Sequence, residues 1–391
     1  MRANEADAPL SSIDLFADDN LQHPYADYRT LRQLGSVVLL EKLGVYALSR
    51  FDDVRDALRL PHRMLSGHGV GFSDAFNAAR GTNVIQSDGD LHRRLRAVVT
   101  RPLTPAQLKA ARPEFKRLVT ARIGSLIGSG MFDAMSMLAS YLPVEAVAHL
   151  VGLPEKGRER MLEWAAATFN VIGPDQSPTD LASLAQARAF MADLNINVVT
   201  KGSWAEQLFG AARDGRLSEA EALAAISAYV LPSLDTTILA MGHLLANLAS
   251  SAEQWELLRA EPEHIPAAVL EGVRHSSVIR WFSRVADDDY RIGDTIIPAG
   301  ARVMLMYGSA NRDERHYADP DRFDVTRDAR DHLAWGTGPH MCAGMHLARM
   351  EMEVLLEALV EQQVTLQAGA PEMGVNRGLY GFTKLPFRID R

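Results

Sequence analysis

The stretch Ala334-Trp335-Gly336-Thr337-Gly338-Pro339-His340-Met341-Cys342-Ala343-Gly344 contains the only cysteine of the chain. Gly336, Gly338 and Gly344 let the backbone take conformations that other residues resist. Such a loop can come close to a flat group and aim several amides at one atom. Cys342 stands just ahead of a helical pattern that starts near Gly344 or Met345 and ends at about Gln362. A helix N-terminus stabilises a thiolate, and amides directed at sulfur would tune a metal bound to it. A redox-active or nucleophilic cysteine fits the same facts, and a lone cysteine is by default a small buried hydrophobe.

The rest of the chain narrows the choice. Of 391 residues, 47% are apolar and 23% charged, enough to build a core and too few charges for global disorder. The net charge is −8 and no lysine- and arginine-rich run stands out, which excludes a nucleic-acid footprint. A single cysteine excludes internal disulfides and any multi-cysteine zinc or iron–sulfur site. The start, Met1-Arg2-Ala3-Asn4-Glu5-Ala6-Asp7, is polar, with no apolar stretch behind it to suggest a secretory signal. No run of 18 apolar residues marks a membrane span. The expectation is a soluble, cytoplasmic protein.

Residues 1–20 read as a polar lead-in, and 21–391 as one domain with no linker or repeat. Pro24 to Leu34 has a helical pattern. Ser36–Leu40 and Tyr46–Ser49 read as a hairpin around Gly44. From Asp52 to about Arg274 helical signals dominate, broken by Gly and Pro. The longest apolar helix is predicted over 216–250, opened by a capping box of Ser218 and Glu221. At about 1.5 Å per residue it spans roughly 45 Å and crosses the domain. Short strand-like pieces alternating with turns follow at Tyr290–Ile292, Thr295–Gly300 and Arg302–Met306. The predicted class is mainly α with a minor sheet region.

The cysteine loop resembles the cytochromes P-450, the haem-thiolate monooxygenases. It matches their signature at Gly336, Gly338, His340, Cys342 and Gly344, with Trp335 where the family has Phe. Three further segments carry the resemblance. Glu271 and Arg274 lie at i, i+3 on one helix face, like the family's Glu-x-x-Arg pair, and Pro320-Asp321-Arg322-Phe323 supplies Arg322 as the third member of a buried triad. His92 and Arg96 lie four apart, in a segment resembling the one that binds haem propionates, although Asp88-Gly89-Asp90 replaces Asp-Pro-Pro. Leu231-Pro232-Ser233-Leu234-Asp235-Thr236-Thr237 resembles the oxygen-groove motif, with Pro232-Ser233 in place of Ala-Gly. Taken alone, these are a surface ion pair, a solvated basic face and a helix irregularity.

The resemblance implies a P-450-like single domain holding haem b, iron protoporphyrin IX. Cys342 would be the axial iron ligand, and His92, Arg96, Arg284 and His340 the propionate contacts. Asp235 and Thr236 would deliver protons at the oxygen site. Pro232, which removes a helix hydrogen bond, is expected to kink the helix and hold an oxygen groove open. The implied pocket is Phe72, Phe76, Ile85, Phe169, Leu231, Leu234, Ile279 and Phe382. Its phenylalanines and the ending Asn376–Pro386 point to hydroxylation or oxidative O-demethylation of a small aromatic compound. With no Rossmann, flavin or iron–sulfur motif in the chain, electrons would come from NAD(P)H through a ferredoxin reductase and a ferredoxin. A basic patch of Arg93, Arg94, Arg101 and Arg349 is expected to dock the ferredoxin onto a monomer. The competing readings are a peroxide-using haem-thiolate enzyme, a non-catalytic haem sensor or carrier, and, failing haem, a cysteine nucleophile.

Overall fold

Leu10–Ser11 (β1) lies parallel to Val38–Leu40 (β2), which turns at Gly44 into antiparallel Val45–Leu48 (β3). This is the predicted hairpin, and Gly44 sits at φ 62°, a left-handed conformation that favours glycine. Met64–Leu65 (β4), Phe282–Ala286 (β5) and Arg302–Leu305 (β6) complete a six-stranded sheet in the order β1-β2-β3-β6-β5-β4. The computed structural model describes residues 7–78, 83–155 and 158–391. Residues of the expected lead-in therefore belong to the folded unit. The backbone of Pro9 and Ser11 bonds to Leu39 and Glu41, giving β1 a place at the sheet edge.

The helices that frame the site are Gly89–Val99 (α1), Arg112–Leu126 (α2), Tyr141–Val151 (α3), Met161–Asn170 (α4), Pro178–Ala192 (α5), Trp204–Arg213 (α6), Glu219–Ser250 (α7), Ile265–His275 (α8) and Met345–Glu361 (α9). Helix α7 is 32 residues long. Ser218 accepts from the Glu221 amide and Glu221 from the Ser218 amide, the predicted capping box. Among the described helices it alone is long and apolar enough to cross a membrane. It instead packs against α3, α4, α6 and α8 in the middle of the largest core cluster. The helix remains one element across Pro232, so the proline does not break it. What is necessarily missing is the bond that Pro232 cannot donate to the Ala228 carbonyl.

Glu271 and Arg274 are both fully buried on α8 and form a bidentate pair, Nε to Oε2 at 2.6 Å and Nη2 to Oε1 at 2.8 Å. Arg274 also donates to the carbonyls of Asn311 and Pro320. The third arginine is Arg327, whose Nε lies 3.2 Å from Glu271 Oε1. This corrects the expectation for Arg322. Its side chain is exposed, and only its carbonyl accepts from Arg274 and Arg327. The reason is local. Phe323 and Val325 point into the core, so Arg322 faces out, and the chain brings a cation back inward only at Arg327.

Candidate active site

The glycine loop builds the floor of a cavity of about 620 Å³. The amide of Cys342 donates to the Trp335 carbonyl at 2.7 Å, closing the loop on itself. Gly336 and Gly338 have φ of 67° and 72°. A Cβ on Gly338 would lie 2.6 Å from the Leu58 carbonyl oxygen, so glycine is required there on both counts. The Cys342 sulfur is open to the cavity while the protein encloses it from outside. Burial pushes its thiol above the usual range. The amides of Gly344 and Met345, at the start of α9, and the Arg96 guanidinium pull the other way. Trp335 lines the cavity beside the sulfur and makes an edge contact with His332.

Two arginines and a histidine lie at the same end. Arg96 from α1, Arg284 from β5 and His340 from the loop line the cavity. Arg96 and Arg284 have no carboxylate partner among the described residues, and Arg284 donates to its neighbour's carbonyl at Ser283. His92 lies behind His340, ring centroids 4.1 Å apart. Burial, then the adjacent His340, lower His92 to about 4, so its ring is neutral. Its Nε2 is buried with no hydrogen-bond partner. His340 approaches Asp88 at 3.6 Å. Asp88 in turn accepts from the amides of Ser66 and Gly67. Burial raises the Asp88 carboxyl, and His340 and the two amides outweigh it.

Helix α7 forms the opposite wall with Leu231, Pro232, Ser233, Thr236 and Thr237. The Thr236 hydroxyl donates to the Pro232 carbonyl at 2.6 Å. Asp235 has no hydrogen bond or ion pair among the described residues, and burial pushes its carboxyl up to about 7. Of the pocket residues read from sequence, Phe76, Ile85, Phe169, Leu231 and Ile279 line the cavity. Three do not. Leu234 is fully buried on the other face of α7. Phe72 stacks on Trp281 at 4.7 Å and meets Phe16. Phe382 packs against His243 at 4.4 Å. Lining residues outside the sequence reading include Phe282, Arg188 and Glu351. Phe282 follows Ile279 by one short step. Arg188 shares a face of α5 with Leu184 and Met191, and Glu351 follows Leu347 by four on α9. The expected basic patch is largely neutralised. Arg93 pairs with Asp90, Arg94 with Glu221 and Arg349 with Glu353, leaving Arg101.

The chain is 32% identical to "Cytochrome p450 CYP199A2" of Rhodopseudomonas palustris, across 98% of its own length and 95% of that relative. It belongs to the cytochrome P450 family. The family model "Cytochrome P450" matches residues 205–369. "Beta-dihydromenaquinone-9 omega-hydroxylase" of Mycobacterium tuberculosis is 30% identical over 96% of this P450 and 78% of that protein. The tirandamycin C-bound P450 monooxygenase TamI superposes with a TM-score of 0.86 at 27% identity, covering 97% of this chain and 99% of that one. The fold is thus mainly α with a small sheet region, as expected, and the protein is a haem-thiolate oxidoreductase of the monooxygenase class. The residues present fit that cofactor. A sulfur faced by two amides stands at the cavity floor. Two arginines without carboxylate partners line the cavity, and the orphaned imidazole nitrogen of His92 belongs to a ring packed on His340; these are donors of the kind two propionates would need.

Proposed function

We propose that this P450 uses dioxygen and two electrons to hydroxylate or oxidatively O-demethylate a small aromatic substrate. The observation that carries the reading is an apolar cavity held between the Cys342 sulfur and the Thr236 hydroxyl, with Phe76, Phe169 and Phe282 in its walls. Haem b bound there would supply oxygen activation, with the electron-rich thiolate favouring O–O cleavage. Cys342 would ligate the iron, and Arg96, Arg284, His340 and His92 would hold the propionates. Burial pushes the Asp235 carboxyl up to about 7, so near neutral pH it is partly protonated and can both hold a proton and release it toward Thr236. The Thr236 hydroxyl hydrogen is committed to the Pro232 carbonyl, so its oxygen is free to accept.

The sequence carries no Rossmann, flavin or iron–sulfur motif, and the electrons are proposed to come from NAD(P)H through a ferredoxin reductase and a ferredoxin, in the cytoplasm, to a monomer of the single domain 21–391. Three measurements test the reading. The reduced carbon monoxide complex should show the red-shifted Soret band of thiolate ligation, and Cys342→Ser should abolish it. Substituted benzenes and benzoates should shift the resting Soret band. The aromatic assignment fails if these leave the band unmoved while terpenes or fatty acids shift it. Turnover with peroxide but none with dioxygen and reduced ferredoxin would replace the monooxygenase reading.

A further inference from the structure

Among the described residues, four basic side chains line the active cavity: Arg96, Arg188, Arg284 and His340. Three of them gather at the cysteine end and are donors of the kind that two propionates need. Arg188 belongs to another wall. It lies on α5, which packs against α4 and α7. Leu184, Ala187, Arg188 and Met191 follow at i, i+3, i+4 and i+7, so one helix face turns all four toward the cavity. Leu184, Ala187 and Met191 are buried, whereas Arg188 is exposed. Its stem covers apolar wall and its head group reaches the mouth.

The charge of Arg188 meets no carboxylate among the described residues. Its Nη2 donates to the Ala75 carbonyl at 2.6 Å, which holds the guanidinium beside Phe76, itself a wall residue. The other N–H groups of the fork have no acceptor among the described residues. Glu351 is the only acid among the described lining residues, and burial pushes its carboxyl up to about 8, so it is mostly uncharged at neutral pH. Once Arg96 and Arg284 have met two propionates, the cavity still carries one positive charge, set on an apolar wall. A guanidinium offers a planar fork of donors that matches a carboxylate. We propose that Arg188 is the anion-binding residue of the substrate site, and that the substrate is an aromatic carboxylate. Its carboxylate sits on this guanidinium and its ring lies against Phe76 and Phe169. A neutral aromatic of the same shape makes only the ring contacts and binds more weakly.

The inference rests on the aromatic reading above, and its test separates the two. Haem-loaded enzyme is titrated with a substituted benzoate and with the matching benzamide, following the Soret shift. Wild type should bind the benzoate about tenfold more tightly or better. Arg188→Gln should remove that preference, weakening the benzoate about tenfold and leaving the benzamide unchanged. Arg188→Lys should recover part of the loss, as a point charge without the planar fork. Added salt should weaken the benzoate more in wild type than in Arg188→Gln. Arg188→Glu should reverse the preference, so that the matching benzylamine binds more tightly than the benzoate. The reduced carbon monoxide spectrum should be the same in all four proteins. Equal affinity of wild type for benzoate and benzamide, or equal losses of both in Arg188→Gln, would overturn the anion site and leave the aromatic reading standing. Fatty acids that shift the band with the same dependence on Arg188, while neither benzoate nor benzamide does, would overturn the aromatic reading and the aromatic half of this inference.

Discussion

Asp235 illustrates how one side chain ties chemistry to stability. Its carboxyl lies on α7 without a partner among the described residues, and burial pushes it from about 3.8 to about 7. Between about pH 4 and pH 7 the folded chain therefore holds a proton that the unfolded chain has lost. Stability falls as pH rises through that window and is level above it. Asp235→Asn keeps the shape and removes the titration. The variant should match wild type near pH 4 and exceed it increasingly up to pH 8, by an amount on the order of a few kcal/mol. Guanidinium unfolding at several pH values measures this. Parallel pH profiles for the two proteins would show that the carboxylate finds a partner in solution. Thr236→Ala acts differently, since it removes a hydroxyl already bonded to Pro232. Substrate affinity should be kept while product per reducing equivalent falls about tenfold or more, as for loss of an oriented proton carrier. Both residues were legible because their meaning is local, an acid beside an alcohol in a helical run. Glu351 was not, because nothing in Met350-Glu351-Met352 tells a surface acid from one turned into a cavity.

At the scale of the element, α7 was read almost to the residue, because a capping box and a long apolar run mark it unambiguously. The hairpin at Gly44 and the helix opening at Met345 were equally clear. The stretch between Asp52 and Arg274 was legible only as helical. Helix α4 is buried on more than one side, and α5 carries apolar residues such as Leu181, Ala182, Ala185 and Ala189 on its exposed side as well, so neither marks a single face, and the walls of the cavity could not be assigned from periodicity. The resemblance placed Leu234 in the pocket, and periodicity offered no check on it. Leu231 and Leu234 are equally apolar, and only the docking of α7 decides that the first faces the cavity. Pro232 gives the element its sharpest prediction. A proline inside a helix costs about 3 kcal/mol relative to alanine. Pro232→Ala lets residue 232 donate to Ala228 and should raise the stability by about 1–3 kcal/mol. Calorimetry on haem-loaded protein checks it. An unchanged or lower melting temperature would mean that the cavity wall is fitted to the proline ring. In the loop, Gly338→Ala meets both a left-handed φ of 72° and the Leu58 carbonyl. It should reduce the haem retained per chain, measured as the Soret to protein absorbance ratio.

Across the whole molecule, the buried ion pair fastens α8 to the irregular segment that leads to the cysteine loop. Glu271 takes Arg274 on one side, Arg327 on the other and the Asp324 amide as well, with no exposure to water. Arg274 spends its remaining donors on the carbonyls of Asn311 and Pro320, 37 and 46 residues away in sequence. Two of the three charged partners were legible because they lie one turn apart on a helix. The third depends on which residues between 319 and 327 turn inward, and the buried positions of Phe323 and Val325 set that register only in the folded chain. The three arginines should therefore separate cleanly. Arg322→Ala removes an exposed side chain and should change stability by less than about 0.5 kcal/mol. Arg327→Ala leaves Glu271 its bidentate partner, so the loss should be about 1–2 kcal/mol, the worth of one charged hydrogen bond. Arg274→Ala strands a buried carboxylate beside Arg327 alone and should cost about 3–5 kcal/mol. It should also lower haem retention, because Asn311 and Pro320 lose the donor that holds the segment before the loop. Urea unfolding of the three variants in parallel gives the order. If Arg322→Ala is as damaging as Arg327→Ala, the triad closes through Arg322 in solution, and the assignment of Arg327 is wrong.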